Sequence, residues 1–251
     1  MRYYYDLICH LVWRDFMLRY KGSVLGILWS LVPPFAHLLV LVFLFGKVVP
    51  LNIKAYPVFV FCALLPWIWF STCLNSAGYL FTGNRELVRR PNFEPATLVA
   101  VNTLSNLLHL LIFLPILLLM LVIYDRNITI SFFLLPVLIL IQAFLTAGLG
   151  LFIATASVFY HDVQHFVNVA IMLIYFLTPV FYPSRDIPEK YQFIFALNPI
   201  ALLIENYRAV FFYGSMPEWN SVFLAGVISI ALFGVGYFVY TRQVENIYDM
   251  L

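Results

Sequence analysis

The chain has 251 residues, of which 63% are hydrophobic and only 10% charged, with a formal net charge of +2. Soluble domains carry about 25% charged residues, so this composition excludes one and specifies an integral membrane protein. The near-neutral balance excludes a nucleic-acid binder, and three cysteines with no CxxC pair (Cys9, Cys62 and Cys73) exclude a disulfide framework.

Residues 1–24 form the first expected element. Within Tyr3–Lys21, the residues Leu7, Ile8, Leu11, Val12, Phe16 and Leu18 fall on one half of a helix, and Asp6, His10, Arg14 and Lys21 on the other. Asp15 and Arg19 intrude on the apolar half, but at i, i+4 and opposite sign they can partner each other. The pattern reads as an amphipathic helix lying along the cytoplasmic headgroups. A basic tail that only sets topology is the plainer alternative.

Six apolar runs follow, at Leu25–Gly46, Val58–Leu80, Leu98–Ile123, Ile130–Val158, Phe166–Phe181 and Val222–Tyr240, and none contains Asp, Glu, Lys or Arg. A helix needs roughly 20 apolar residues to cross about 30 Å of hydrocarbon. Phe166–Phe181, with 16 residues, spans only with help from its flanks. The first run is too long for a signal peptide and is followed by no small-residue cleavage site. Six spans put both termini on one side, and Lys and Arg number eight on that side against six opposite. Both termini are therefore expected in the cytoplasm.

Between Tyr182 and Ser221 lie Pro183, Pro188, Pro199 and Pro217, together with the apolar stretches Tyr191–Leu197 and Ile200–Tyr213. Both are too short to span. They suit an extracytoplasmic re-entrant helical hairpin broken at Asn198–Pro199, or else a helix lying on the outer surface. The expected fold is thus an all-α membrane protein forming one domain over 1–251, with six transmembrane helices, an N-terminal amphipathic interface helix, and a re-entrant helical hairpin (182–221) before the last span.

The placement of polar residues restricts the chemistry. Ion-coupled transporters keep ionisable groups within the bilayer, whereas all 12 acidic residues here lie outside the spans, leaving only His37 and His109 inside. No GxxxxGK[ST] phosphate loop is present, and no extramembrane stretch approaches the size of an ATPase domain. His161, Asp162 and His165 form a compact group whose two imidazoles could share a metal. With no further ligand or nucleophile motif nearby, a solvated helix end is the plainer reading, and neither a catalytic nor a metal site is expected. Trp67, Trp69, Phe70, Tyr175, Phe176 and Tyr182 are aromatic residues in or beside spans. They can line a channel by stacking on sugar faces, or simply pack.

Arg14–Asp15 and Arg19–Tyr20–Lys21–Gly22–Ser23–Val24–Leu25–Gly26–Ile27–Leu28–Trp29 are similar to the opening signature of ABC-2 type polysaccharide export permeases. Tyr160–His161–Asp162–Val163 resembles that family's aromatic-Arg-Asp segment, with His161 where Arg is usual. Pro33–Pro34 stands where Asn–Pro is common. Thr178–Pro179–Val180–Phe181–Tyr182, Ile187–Pro188–Glu189–Lys190 and Asn198–Pro199 resemble its fifth span and re-entrant region. The order and spacing of these motifs cover nearly the whole chain.

The resemblance implies a multi-pass permease of the bacterial inner membrane, homodimeric and joined to two copies of a cytoplasmic ATPase subunit. It implies no cofactor in this chain, with ATP and Mg bound by that partner. The passenger would be an undecaprenyl-diphosphate-linked polysaccharide. Arg85, Glu86, Leu87, Arg89 and Arg90, in the loop after the second span, would contact the ATPase. Arg14, Arg19 and Lys21 would admit the lipid diphosphate. A related exporter of drugs or lipids is the alternative within transport; a membrane-embedded enzyme acting on lipid-linked sugars is the alternative outside it.

Overall fold

A computed structural model describes residues 2–22, 26, 28–91, 93–126 and 129–251, with the side chains of 2–5 and 20 left aside. Part of the opening signature (23–25 and 27) and the start of the first expected span lie outside the described residues. Among the described residues ten α-helices follow in order: α1 (Arg2–Tyr20), α2 (Leu28–Phe43, extended by a wider turn over Leu44–Val48), α3 (Tyr56–Ala77), α4 (Arg85–Val88), α5 (Ala96–Ile123), α6 (Leu135–Phe159, preceded by a tight turn over Ile130–Leu134), α7 (Val163–Leu177), α8 (Gln192–Ala196), α9 (Pro199–Arg208, extended over Ala209–Tyr213) and α10 (Trp219–Met250). Five of these units, those containing α2, α3, α5, α6 and α10, are long and apolar enough to cross a bilayer.

α3 is the axis of the bundle. Tyr56, Phe59, Phe61, Leu64, Trp67, Phe70 and Leu74, which point in all directions around it, are all buried, as expected of a helix that is apolar all round. Buried polar side chains pin neighbours to it. The Gln142 amide of α6 donates to the Pro66 carbonyl (2.8 Å), and the Trp69 indole donates to the Thr103 carbonyl of α5 (3.1 Å).

The fifth expected span emerges as a helix of only 15 residues, Val163–Leu177, rather than Phe166–Phe181. The segment nevertheless crosses. At one end Gln164 donates to the Asn75 carbonyl near the end of α3, and at the other the Phe181 carbonyl accepts from Tyr56 at its beginning. Those α3 positions are about 29 Å apart. Seventeen helical steps from Gln164 would reach only about 26 Å. Leaving the helix at Thr178 (φ −104°, ψ 133°) stretches the chain to make up the difference.

α8 and α9 meet at a bend of 100°. Asn198 precedes Pro199 in extended backbone (φ −90°, ψ 103°), the conformation that a residue before proline favours. Asn198 also donates to the buried Thr178 hydroxyl (3.0 Å), which anchors the bend beside the broken end of α7. α9 then packs on α3, α6 and α10 and returns to the end it started from, where the Gly214 carbonyl accepts from Thr129. This is the re-entrant hairpin.

α1 and the C-terminus share one end of the bundle, termed the terminal end. Leu11, Phe81, Val88, Phe93, Ile247 and Leu251 form one buried cluster there. Leu7, Ile8, Leu11, Val12 and Phe16 of α1 are at least partly buried, as the helical projection predicts, but Leu18 is 57% exposed and departs from it. α1 is no free-lying surface helix. It runs beside α5 in the same direction, from Leu11 near Leu98 to Arg19 at Asn106.

Candidate functional site

At the end of α1, a cavity of 330 Å³ opens among α1, α2, α3 and α5. Arg19, Asn106 and His109 make its polar mouth; Pro33, Pro34, Leu65, Ile68, Leu110 and Phe113 are among its apolar walls. The depth of the mouth follows from helix lengths. α5 has 28 residues, about 42 Å, against about 30 Å of hydrocarbon. Asp125 and Arg126 follow Ile123 closely, so the overshoot lies at the terminal end. That puts Asn102 and Asn106 at or just inside the headgroup boundary, with the apolar throat below them.

Arg19 is held in place by a relay of amides. Its guanidinium donates to Asn106 Oδ1 (2.9 Å) and to Asp15 (3.2 Å), with the His109 ring 3.5 Å away. Asn106 in turn donates to the Asn102 carbonyl and side-chain oxygen (2.8 and 2.9 Å). Asn102 donates to the Cys73 carbonyl (3.0 Å) and accepts from Ser76 (2.8 Å). A planar guanidinium presented at a headgroup boundary suits bidentate binding of a phosphate group. The throat beneath suits an acyl or isoprenyl tail.

The residues expected to admit a lipid diphosphate divide. Arg14 and Arg19 line one groove of 140 Å³ with Asp15, Ser76, Asn84 and Asn102, adjoining the larger cavity through Arg19. Lys21 is exposed in the following turn and borders neither. Asn102, Asn106 and Ser76 escaped the sequence reading. The available signal was their spacing: Asn102, Asn106 and His109 recur at i, i+4 and i+7 along one face of an otherwise apolar span.

Arg85, Glu86, Arg89 and Arg90 are exposed at the terminal end around the four-residue α4. Leu87 is only partly exposed, and Val88 is fully buried in the terminal cluster. The loop is braced from below: Tyr240 donates to Glu94, and Tyr248 donates to the Phe93 carbonyl (3.0 Å). The result is an exposed basic patch on a rigid support.

Among the expected aromatics, Trp67, Trp69 and Phe70 are at most 4% exposed within the bundle. Trp67 packs on Phe70 and Tyr175, and Trp69 borders the cavity. Tyr175 bonds His37 (2.8 Å), Tyr182 donates to the Phe176 carbonyl, and Phe176 is 60% exposed. For Trp67 and Phe70, packing is the role on display. His161, Asp162 and His165 are exposed, and among the described residues no three His, Cys, Asp or Glu side chains converge on a metal position.

Comparison with known proteins adds a match over residues 6–212 to the family described as ABC-2 type transporter. The chain is 34% identical over 231 residues to the O-antigen export system permease protein RfbA of Myxococcus xanthus, covering 91% of this chain and 89% of that protein. It is 29% identical over 238 residues to a protein of the same name from Klebsiella pneumoniae, covering 92% of each. To the polysialic acid transport protein KpsM of Escherichia coli it is 23% identical over 235 residues, covering 92% and 91%.

Proposed function

The chain belongs to the ABC-2 type transporter family, and on that premise we propose that it is the permease through which a lipid-linked, O-antigen-like polysaccharide leaves the cytoplasm. It is a multi-span helical membrane protein, and the relatives it matches are transport permeases rather than enzymes. Membership of an ABC transporter implies an ATPase partner. In this proposal two copies of the chain pair, two ATPase subunits bind ATP and Mg, and the complex sits in a bacterial inner membrane with both termini in the cytoplasm. The passenger's lipid is a polyprenyl diphosphate such as undecaprenyl diphosphate.

One observation carries this reading: the cavity at the end of α1 has the polarity of such a lipid. Its mouth holds Arg19 on the Asn106–Asn102 relay, its throat is apolar, and it opens at the end that bears the basic patch. Arg14 and Arg19 engage the diphosphate, while Arg89 and Arg90 meet acidic residues of the ATPase.

Deletion of the gene is expected to remove surface glycan and leave lipid-linked glycan on the cytoplasmic leaflet. Arg19→Gln removes a charge-assisted bond of about 1.5–3 kcal/mol, so export should slow at least about tenfold with ATPase binding intact. Charge reversal at Arg89 and Arg90 should instead weaken ATPase binding. Unaltered surface glycan in the deletion strain would refute the function, and unaltered export by Arg19→Gln would refute the site.

A further inference from the structure

A second cavity, of 250 Å³, lies at the opposite end of the bundle. Three cations from three separate segments line it: Lys54 between α2 and α3, Arg126 after α5, and Arg185 after α7. Phe59, Phe212 and Tyr213 line it as well, and no carboxylate among the described residues does. Asp186 stands 3.8 Å from Arg185, but both side chains are more than half exposed, so solvent screens that pair, and Asp125, exposed beside Arg126 in the chain, does not line the cavity.

Arg126 is set in position rather than left to solvent. Its guanidinium donates to the Lys54 carbonyl (3.0 Å) and lies over the Phe212 ring (4.1 Å), while its Nε is buried with no partner among the described residues. The surrounding backbone is also unusual. Asn52, Ala55 and Asp125, the non-glycine residues described with positive φ (54°, 58° and 54°), all lie in the two loops that carry Lys54 and Arg126. Left-handed backbone at a residue such as Ala55 is costly and clusters where side chains are held for binding.

We propose that this pocket binds the phosphate or diphosphate group of an amphiphile in the distal leaflet. Two guanidinium forks and an ammonium match a phosphate's charge and its several acceptor oxygens, and the exposed Tyr213 beside them suits the first carbons of a lipid. The phosphate can belong to a leaflet phospholipid or to a polyprenyl diphosphate that has crossed. The proposal rests on the charges and the cavity and holds whether or not the chain exports glycan.

Hydrogen–deuterium exchange of the purified full chain in detergent tests it peptide by peptide, with geranylgeranyl diphosphate, inorganic pyrophosphate and phosphatidylglycerol as probes. Amides in peptides covering 51–55 and 183–186 should exchange at least threefold more slowly with a saturating probe. Lys54→Gln combined with Arg185→Gln, both exposed and outside the core, should raise the half-saturating concentration at least tenfold. Arg126→Gln should do the same if it folds. Protection by geranylgeranyl diphosphate alone would assign a polyprenyl diphosphate, and protection by phosphatidylglycerol a leaflet headgroup. Protection by pyrophosphate as well would show that the phosphate suffices. No protection by any probe, protection confined to peptides of 14–20 at the other end, or an unchanged response of the double variant would overturn the proposal. Protection at 14–20 alone would leave the export reading standing.

Discussion

Arg208 is wholly buried, alone in this among the Lys and Arg side chains described. It pairs with Glu205, donates to the Pro179 and Val180 carbonyls (2.7 and 3.0 Å), and lies over Phe59 (3.8 Å). Those two carbonyls belong to the break that ends α7, so this one side chain ties the re-entrant hairpin to the last residues of a span. Breaking a buried pair by removing one partner costs about 3–5 kcal/mol, because the other charge and the carbonyls are left unpaired. Arg208→Met should therefore melt far below wild type in a detergent thermal scan. Arg208→Lys should fall between them, since an ammonium cannot reproduce the fork. A wild-type melting temperature for Arg208→Met would disprove the clamp. The sequence offered no view of this role. Arg208 reads there as one more loop charge beside Glu205, because its other partners are main-chain carbonyls 28 and 29 positions upstream, and carbonyls leave no mark in composition.

At the scale of elements, the long spans were legible because a bilayer demands about 20 apolar residues in a row, and the hairpin break was legible from Asn198–Pro199. Which helices press together was not, since a span apolar all round does not show its contact face. α6 and α10 show why. A Cβ at Gly148 would meet the backbone of Phe233, and one at Gly236 would meet the backbone of Gly148. The two helices touch main chain to main chain, the approach that small residues permit in membranes. Gly148→Val or Gly236→Val must push them apart, at about 1–3 kcal/mol or more for overpacking. Gly234 lies in the same helix with nothing within 4 Å of its added Cβ, so Gly234→Ala should be neutral or stabilising by up to about 1 kcal/mol. Thermal unfolding of the three variants checks the contrast, and equal behaviour of Gly234→Ala and Gly236→Val would sink the packing argument. In the sequence these glycines look alike; only the neighbour's position separates them.

For the whole molecule, the count of crossings fixes which surfaces face together. The chain crosses with α2, α3, α5, α6, the α7 segment and α10, while the hairpin dips and returns, so α1, α4 and the C-terminus share one side and the 182–218 region lies on the other. The parity of six apolar runs along the sequence already placed both termini on one side, since it needs no side-chain detail. The docking of α1 along α5 was not visible in it, because an amphipathic stripe fits a protein groove as well as a headgroup layer. The native cysteines provide a direct test of sidedness. Cys9 is exposed on α1, whereas Cys62 and Cys73 are buried among the spans. A membrane-impermeant maleimide should modify one thiol per chain, at Cys9, and only in inside-out vesicles. In a Cys9→Ser background, Arg185→Cys should label from the periplasmic side of spheroplasts, since Arg185 is exposed at the distal end. Labelling of Cys9 and Arg185→Cys from the same side would break the six-crossing topology. Labelling of each from the side opposite to that expected would keep the topology, reverse its orientation, and place the Arg19 cavity on the wrong leaflet for export.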